Sequence, residues 1–415
     1  MSLDDALARL SAAVPLPGAD DAQTVTTFDA LGRVLAEPVR SQLDVPPADN
    51  TSMDGYAMRA ADIASAGTRL PVSQRIPAGV VGQPLQPGTA ARVFTGAQIP
   101  AGADAVVMQE QCSAEADASG ATLGQVRVHS VPSAGQWVRR RGEDVTEGST
   151  VLAAGTRLGA AELGLAASVG AAQLRVARRP RVALFSTGDE LVMPGEPLKP
   201  GAIYNSNRYT LRALLQTFGC EVTDLGIVPD RLDATRAALR DAAQGHDLIL
   251  TSGGVSVGEE DHIKPAVSAE GRLDLWQLAI KPGKPLAFGS IRREGQASGP
   301  DHAGAWFLGL PGNPVSSYVT CLLLVRPVLL RLQGVADTTP QALSLRADFD
   351  WLKPDKRREF LRVRLNATGG LDLFPNQSSG VLTSAVWADG LLDNPGSQVI
   401  RAGDTVRFIP LHALA

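Results

Sequence analysis

The chain has 415 residues, more than one hydrophobic core usually holds, so we expect several domains. Its composition, 44% hydrophobic and 20% charged residues with a net charge of −4, is typical of a globular protein and argues against a broad nucleic-acid-binding surface. The three cysteines and five histidines are scattered, so we expect neither a disulfide framework nor a zinc site, and a cytoplasmic protein.

The N-terminal stretch MSLDDALARL carries two acids and lacks the basic start and apolar block of a signal peptide. The most apolar run, VTCLLLVRPVLL, is interrupted by Arg326 and Pro327. We therefore expect no membrane span and no membrane partner.

The first part of the chain is rich in turns. Residues 46–144 contain many glycines and prolines and short alternating stretches such as ARVFTG, a pattern typical of a β-rich inserted domain. We expect the flanking residues 1–45 and 145–178 to form a discontinuous N-terminal or linker domain.

The middle of the chain alternates strands and helices. Buried strands such as RVALF, DLILT and WFLGL are separated by helices over residues 205–218 and around DATRAALRDAAQ, where Asp233 is the predicted N-cap. Strict alternation predicts a three-layer α/β domain with a parallel sheet over residues 179–332. REFLRVRL and DTVRFIP then predict a small, barrel-like β domain over residues 333–415, so the fold class is multidomain α/β plus β.

Four glycine- or proline-rich loops lie at or near strand ends of the α/β domain. They are STGDE (186–190), TSGGVSVGEED (251–261), KPGKP (281–285) and LPGNP (310–314). Ligands bind at the carboxyl ends of parallel strands, so we expect these loops to form one site. None has the spacing of a dinucleotide fingerprint or a P-loop.

Acids and lysines in these loops predict chemistry on a phosphate. Glu190, Asp230 and Asp261 each follow a strand, and converging carboxylates need a cation such as Mg²⁺ before a phosphate can approach. Lys281 and Lys284 could neutralise charge on a leaving group. The alternatives are a helix N-cap at Asp261 and a surface role for the lysines.

Three further motifs lie in the N-terminal half. DNTSMDGYA contains Asp54 in a tight turn, VFTGAQIP exposes Thr95 at a strand end, and RRRGED sets arginines beside Asp144. Arginine forks suit phosphate or another oxyanion, although a solvated turn is the commoner meaning of such a charged run.

In this order the motifs DNTSMDGYA, VFTGAQIPAGADAVV, RRRGEDV, STGDEL, IYNSN, TSGGVSVGEED, KPGKPLAFG and LPGNPVS resemble the molybdopterin molybdenumtransferases of the MoeA type, a family that includes the C-terminal domain of gephyrin. The resemblance implies a molybdopterin-binding-like α/β domain. It implies a Mg²⁺-dependent transferase that inserts molybdate into adenylylated molybdopterin and releases AMP, the last step of molybdenum cofactor biosynthesis. It also implies a homodimer whose cleft lies between the α/β domain of one subunit and β domains of the other, with other cofactor-biosynthesis proteins as further partners.

The resemblance assigns roles position by position. The implied catalytic residues are Asp54, Thr95, Asp144, Lys281 and Lys284, and the implied metal ligands are Glu190, Asp230 and Asp261. The implied substrate-binding residues are Ser252, Gly253, Gly254, Ser256, Gly258, Pro311, Gly312, Asn313, Arg358 and Ser379. Of these, Arg358 and Ser379 are expected to hold the molybdate oxyanion.

Two rival functions remain open at this point. The first is adenylylation of molybdopterin by ATP, which a related α/β domain performs, although the additional N- and C-terminal β domains argue against it. The second is a non-catalytic scaffold of the same fold that binds partner peptides, as gephyrin does.

Overall fold

The computed structural model describes residues 1–254, 262–295 and 304–414. The N-terminal region is mostly short strands with two helices. Its elements are α1 (Leu3–Ala13), β1 (Ala22–Thr26), β2 (Val39–Arg40), β3 (Asn50–Thr51), β4 (Gly55–Met58), β5 (Arg69–Ile76), β6 (Ala90–Val93), β7 (Ala105–Met108), β8 (Cys112–Glu115), β9 (Gln125–Val128), β10 (Val138–Arg139), β11 (Thr150–Leu152), α2 (Ala160–Ser168) and β12 (Gln173–Ala177).

Strand pairing in this region is nested. β1 pairs with β12, β2 with β11, and β3 with β10, each antiparallel. Between them lies a six-stranded sheet of order β7-β4-β6-β5-β9-β8, in which only the β5–β6 pair is parallel. Strands from both flanks therefore pair with each other around a β-rich insertion, and the predicted β-rich content is confirmed.

The middle region holds the remaining long helices. Its elements are β13 (Arg181–Thr187), β14 (Leu191–Val192), β15 (Ile203–Tyr204), α3 (Ser206–Thr217), β16 (Glu221–Val228), α4 (Leu232–Gly245), β17 (Leu248–Ser252), α5 (Ile263–Glu270), β18 (Gly271–Gln277), β19 (Ile280–Lys281), β20 (Pro285–Ile291), β21 (Ala305–Leu310), α6 (Pro314–Thr320) and α7 (Arg326–Leu332), with a π-helical turn at Cys321–Val325.

The central sheet has the order β16-β13-β17-β21-β20-β18. Its first four strands are parallel, but β20 runs antiparallel to both of its neighbours, which corrects the expectation of a wholly parallel sheet. Alternate residues of β13 enter opposite cores: Val182 and Leu184 pack on one face, Ala183 and Phe185 on the other. The sheet is therefore covered on both faces, as predicted.

Helix starts are only partly as expected. Asn205 caps α3, its side chain accepting a hydrogen bond from the amide of Arg208 at 3.2 Å. Asp233, however, is not a cap: α4 begins at Leu232, and Asp233 lies exposed in its first turn, 3.6 Å from the Arg231 guanidinium.

Residues Pro314–Leu332 form one continuous helical stretch of 19 residues that is long and apolar enough to cross a membrane by composition alone. However, 78% of its most apolar window is buried within the protein. Leu322, Leu324 and Leu329 belong to the core on one face of the central sheet, so the stretch behaves as a core helix.

The C-terminal region is built on β22 (Leu343–Arg346), β23 (Arg358–Leu365), β24 (Leu371–Leu373), α8 (Thr383–Trp387), β25 (Gly390–Asn394) and β26 (Thr405–Pro410). The sheet order is β19-β23-β25-β26-β22, with β24 also paired to β23. β19 comes from the middle region, so backbone hydrogen bonds connect the C-terminal sheet to the KPGKP loop.

The predicted alternation of β23 is wrong, because five successive residues, 359–363, are buried. Leu361 and Val363 pack in the core of the C-terminal sheet, whereas Phe360 faces the large core of the middle region. A strand that is covered on both faces loses the two-residue period. The barrel-like shape and the expected domain limits stay predictions.

Candidate active site

A cavity of about 700 Å³ opens at the carboxyl-terminal edge of the central sheet. The parallel strands β13, β16, β17 and β21 end at this edge, and residues that follow them line the cavity. Because β20 runs in the opposite direction, the loop before it, residues 281–284, lies at the same edge. The described residues of the four predicted loops therefore share one site.

Ten of the expected site residues line this cavity: Glu190, Asp230, Gly253, Gly254, Lys281, Lys284, Pro311, Gly312, Asn313 and Ser379. Ser256, Gly258 and Asp261 lie outside the described residues, so their roles stay predictions. Ser252 does not line the cavity: it is 3% exposed, and its hydroxyl lies 3.4 Å from that of Ser186 between neighbouring strands.

Glu190 and Asp230 bring two carboxylates to the cavity. The Glu190 carboxylate lies over Gly188, where a Cβ atom would come within 2.5 Å of Oε2. Glycine at position 188, with φ of 143°, therefore leaves the space that the Glu190 carboxylate occupies. Among the described residues, no group of three or more His, Cys, Asp or Glu side chains is close enough to hold a metal.

The two lysines of the KPGKP loop have different surroundings. The Lys281 ammonium lies 3.2 Å from Glu359 Oε1 and 3.6 Å from Asp355 Oδ2. Glu359 is fully buried and also accepts a hydrogen bond from Trp351 Nε1 at 2.7 Å. Lys284 is exposed, and its ammonium contacts no described acid. Lys281 thus has a structural partner, while Lys284 is available to a ligand.

Arg358 is not part of the cavity, contrary to expectation. Its guanidinium pairs with Asp393 through two hydrogen bonds of 2.6 Å and reaches Asp4 at 3.1 Å. The neighbouring Arg357 lines the cavity instead. Arg358 is the first residue of β23 and Arg357 lies in the bend before it, so a shift of one position separates the two environments.

Arg357 is held in place by Asp355, which accepts from its Nε at 3.0 Å and from its Nη2 at 2.9 Å. These hydrogen bonds hold the pKa of the Asp355 carboxyl well below its usual range. The acid therefore stays charged, and Lys281 on its other side adds to this effect. Asp355 connects two of the cations that surround the cavity.

The C-terminal region also supplies Gln377 and Ser378, which line the cavity beside Ser379. The Ser379 carbonyl accepts a hydrogen bond from the Val315 amide at 2.9 Å, next to the LPGNP loop. Neither Arg357 nor Gln377 was predicted, because no local pattern shows where the C-terminal sheet contacts the α/β region. Thr187 also lines the cavity and was overlooked inside the STGDE motif.

Asp54 and Thr95 come together, but outside this cavity. Asp54 Oδ1 accepts from the amide and from the hydroxyl of Thr95, each at 2.7 Å. Both hydrogen bonds lower the pKa of Asp54, and the one from the Thr95 amide contributes more than the one from the Thr95 hydroxyl. Asp144 is exposed, and its amide donates to Val45 O at 3.0 Å. None of these three residues lines the cavity that Lys281 and Lys284 line.

Three family models match successive parts of the chain. The MoeA N-terminal region (domain I and II) matches residues 1–170, a probable molybdopterin binding domain matches residues 183–331, and the MoeA C-terminal region (domain IV) matches residues 344–411. A Haemophilus influenzae protein named molybdopterin molybdenumtransferase is 37% identical over 100% of this chain and 99% of its own length. The chain belongs to the molybdopterin molybdenumtransferase family.

Another molybdopterin molybdenumtransferase, from Nostoc sp., is 37% identical and covers 95% of this chain and 90% of its own. The structure of a molybdopterin biosynthesis MoeA protein from Pyrococcus horikoshii superimposes with a TM-score of 0.82 at 28% identity, covering 99% of both chains. A further MoeA structure matches with a TM-score of 0.76 at 30% identity and covers 99% of this chain and 98% of its own. The multidomain MoeA fold therefore extends over the whole chain.

Proposed function

We propose that this protein performs the molybdenum-insertion step of molybdenum cofactor biosynthesis: it takes adenylylated molybdopterin and molybdate and releases AMP. The observation that carries the proposal is the cavity in which Glu190, Asp230, Lys281 and Lys284 meet. A site with both acids and lysines suits a ligand that is anionic and brings a cation with it. Membership of the molybdopterin molybdenumtransferase family supports the same reaction.

Mg²⁺ fits the acidic side of the cavity. Carboxylates are its usual protein ligands, and the Glu190 carboxylate has no hydrogen-bond or ion-pair partner among the described residues. Glu190 and Asp230 would hold the ion, and Asp261, which lies outside the described residues, stays the predicted third ligand. When bound, Mg²⁺ supplies Lewis-acid polarisation of the pyrophosphate.

The remaining cavity residues bind and orient the substrates. The loops at Gly253, Gly254 and Gly312 grip the pterin and its phosphates, because glycine allows close approach of an anion. The Gly253 amide itself donates to Leu310 O at 3.1 Å, so the amides of Gly254 and Gly312 are the donors. Lys284 neutralises charge on the departing AMP, and Lys281 assists from its place beside Glu359.

Molybdate, a compact dianion, requires donors rather than acids. Arg357 and Ser379 line the cavity and take the role that the resemblance implied for Arg358 and Ser379. Arg357 is already oriented by Asp355, so little side-chain freedom is lost when the oxyanion binds.

The working unit is a cytoplasmic homodimer. Asp54, Thr95 and Asp144 lie outside the cavity of their own chain, so a second subunit would have to bring them to it. Other cofactor-biosynthesis proteins would deliver the substrate and accept the product.

An assay of AMP release tests the function. Purified protein is incubated with adenylylated molybdopterin and Mg²⁺, and AMP is measured before and after molybdate is added. We expect release only with molybdate. Formation of an adenylylated adduct from ATP and molybdopterin, without molybdate-dependent release, would support the adenylyltransferase instead.

A second experiment separates the enzyme from a scaffold. Glu190→Gln removes a cavity charge with almost no change in size, and it should abolish AMP release while the size of the particle in solution is unchanged. If a deficient strain forms as much cofactor with the Glu190→Gln variant as with the wild-type chain, the proposal that this cavity is catalytic is wrong.

A further inference from the structure

Arg362 on β23 is the largest side chain among those less than 2% exposed. A guanidinium is costly to remove from water and is normally paired with a carboxylate when buried. Among the described residues, no acid lies within ion-pair distance of Arg362. Arg362 is therefore a buried cation that no described acid neutralises, which needs a physical reason.

Neutral oxygens surround this cation. Nε donates to Ser384 Oγ at 3.1 Å, Nη1 to Phe360 O at 3.1 Å, and Nη2 to Ser378 O at 3.4 Å. Burial lowers the pKa of Arg362 to about 10, which still leaves the guanidinium charged at neutral pH. The positive charge thus lies directly behind Ser378, a residue that lines the cavity.

The main chain of Arg362 holds the same segment. Gln377 Oε1 accepts from the Arg362 amide at 2.9 Å, and Gln377 Nε2 donates to the Arg362 carbonyl at 3.0 Å. Backbone and side chain of one residue therefore fix Gln377 and Ser378, while Val315 fixes Ser379 from the other side.

The contact with Ser378 also sets the direction of a peptide group. The Ser378 carbonyl accepts from Arg362 and from the Val381 amide at 3.3 Å, so it points into the protein. In a trans peptide the next N–H points the opposite way. That N–H belongs to Ser379, and no described residue accepts a hydrogen bond from it.

We propose that Arg362 is a positioning residue for the oxyanion subsite: it holds the Ser378–Ser379 peptide so that the Ser379 amide and hydroxyl face the cavity as donors, and its charge favours the anion bound there. The inference rests on the proposed function, because it takes the anion to be molybdate. Arg362 itself does not line the cavity.

The test is a calorimetric titration of the full chain with sodium molybdate. Arg362→Met removes the charge and all three side-chain hydrogen bonds, but it leaves the backbone bonds to Gln377 in place. We expect molybdate affinity to fall about tenfold, as the loss of one charge-assisted hydrogen bond would give. In the AMP assay, the KM for molybdate should rise while kcat changes little.

Arg362→Lys is the second variant and covers the case in which the Met variant does not fold. It keeps the charge but cannot reach three acceptors at once, so it should also bind molybdate several-fold more weakly. Phe408→Leu, another change in the buried C-terminal core, is the matched control and should keep wild-type affinity at a similar loss of melting temperature.

Two outcomes contradict the inference in distinguishable ways. Wild-type affinity in folded Arg362→Lys overturns the positioning role and leaves the proposed function standing. A wild-type chain that does not bind molybdate overturns both the subsite and the role of Arg362.

Discussion

Lys281 and Lys284 are separated by two residues and line the same cavity, yet we expect Lys281 to have a structural as well as a catalytic role and Lys284 a catalytic role alone. We predict that Lys284→Ala lowers the rate of AMP release strongly without changing stability, because the exposed ammonium has no described acidic partner. Lys281→Ala should lower both activity and stability, since it removes a cation from the buried Glu359. We expect the free energy of unfolding to fall by about 2 kcal/mol, which is less than for a fully buried pair because Lys281 is 38% exposed.

The measurement is the melting temperature of both variants beside their rates. Equal melting temperatures for the two variants would contradict the different roles, because both remove the same side chain from the same loop. Retention of the wild-type rate in Lys284→Ala would contradict its role toward the leaving group.

Asp247 provides a pH-dependent contribution to stability. It accepts hydrogen bonds from Arg178 at 2.6 and 2.8 Å and from the Arg181 amide at 2.8 Å. Burial acts to raise its pKa, but the bonds from Arg178 and Arg181 outweigh burial, and the pKa is lowered below its ordinary value of 3.8. A lowered pKa contributes stability above the unfolded value, and this contribution is lost as pH falls through the folded value.

We therefore predict that Asp247→Asn lowers the melting temperature by a constant amount between pH 5 and pH 7, corresponding to about 1–2 kcal/mol. The gap should narrow below about pH 4, because the unfolded wild-type chain then binds a proton at this carboxyl that the folded chain, with its lowered pKa, does not yet bind, and it should close as pH falls through the folded value. Thermal unfolding at several pH values checks this. The exposed Asp20→Asn variant is the control, and a gap that widens in acid would show the sign to be wrong.

At the scale of elements, the KPGKP loop depends on close packing against the long buried helix. Gly283 has φ of 108°, and a Cβ atom there would lie 2.4 Å from Thr320 Oγ1. We predict that Gly283→Ala displaces the loop and its lysines and slows AMP release roughly 10- to 100-fold, the usual cost of a small misplacement of catalytic groups.

Gly295→Ala is the matched control for this prediction. Gly295 also has a positive φ, 78°, but nothing lies within 4 Å of the added Cβ atom. The Gly295→Ala variant should release AMP at the wild-type rate, because the substitution costs only backbone strain at a positive φ and causes no steric clash. Equal rates for the two variants would mean that the contact with Thr320 does not position the loop.

The sequence predicted those elements whose signal is local. The helix before Phe218 has its cap at Asn205, and the strands RVALF and DLILT are adjacent parallel strands. Local patterns did not reveal the reversal of β20, because a strand's direction in a sheet depends on its partners rather than on its own residues. The same limit explains why Arg358 was predicted at the site instead of Arg357, because the choice between them depends on the register of β23 against β19.

At the scale of the molecule, the lysines line the cavity whereas Asp54, Thr95 and Asp144 do not, and this difference leads to a complementation test. If each cleft takes Lys284 from one chain and Asp54 from the other, a mixed dimer of Lys284→Ala and Asp54→Ala has one intact cleft. Random mixing should then restore roughly a quarter of the wild-type activity from two inactive proteins, because half of the dimers are mixed.

The control mixture combines Lys284→Ala with Glu190→Gln, whose side chains line the same cavity of one chain. No intact cleft can form in that mixture, so it should stay inactive. Absence of restoration in the first mixture as well would locate the whole reaction within a single chain.

Chain order protects the most apolar segment during synthesis. All six strands of the central sheet, and α1 as well, precede Pro314–Leu332 in the chain. Proteins begin to fold from the N-terminus while they are still being made. When this apolar helix leaves the ribosome, most of the core residues that it packs with have already been synthesised, so it can be largely buried before the last eighty or so residues emerge.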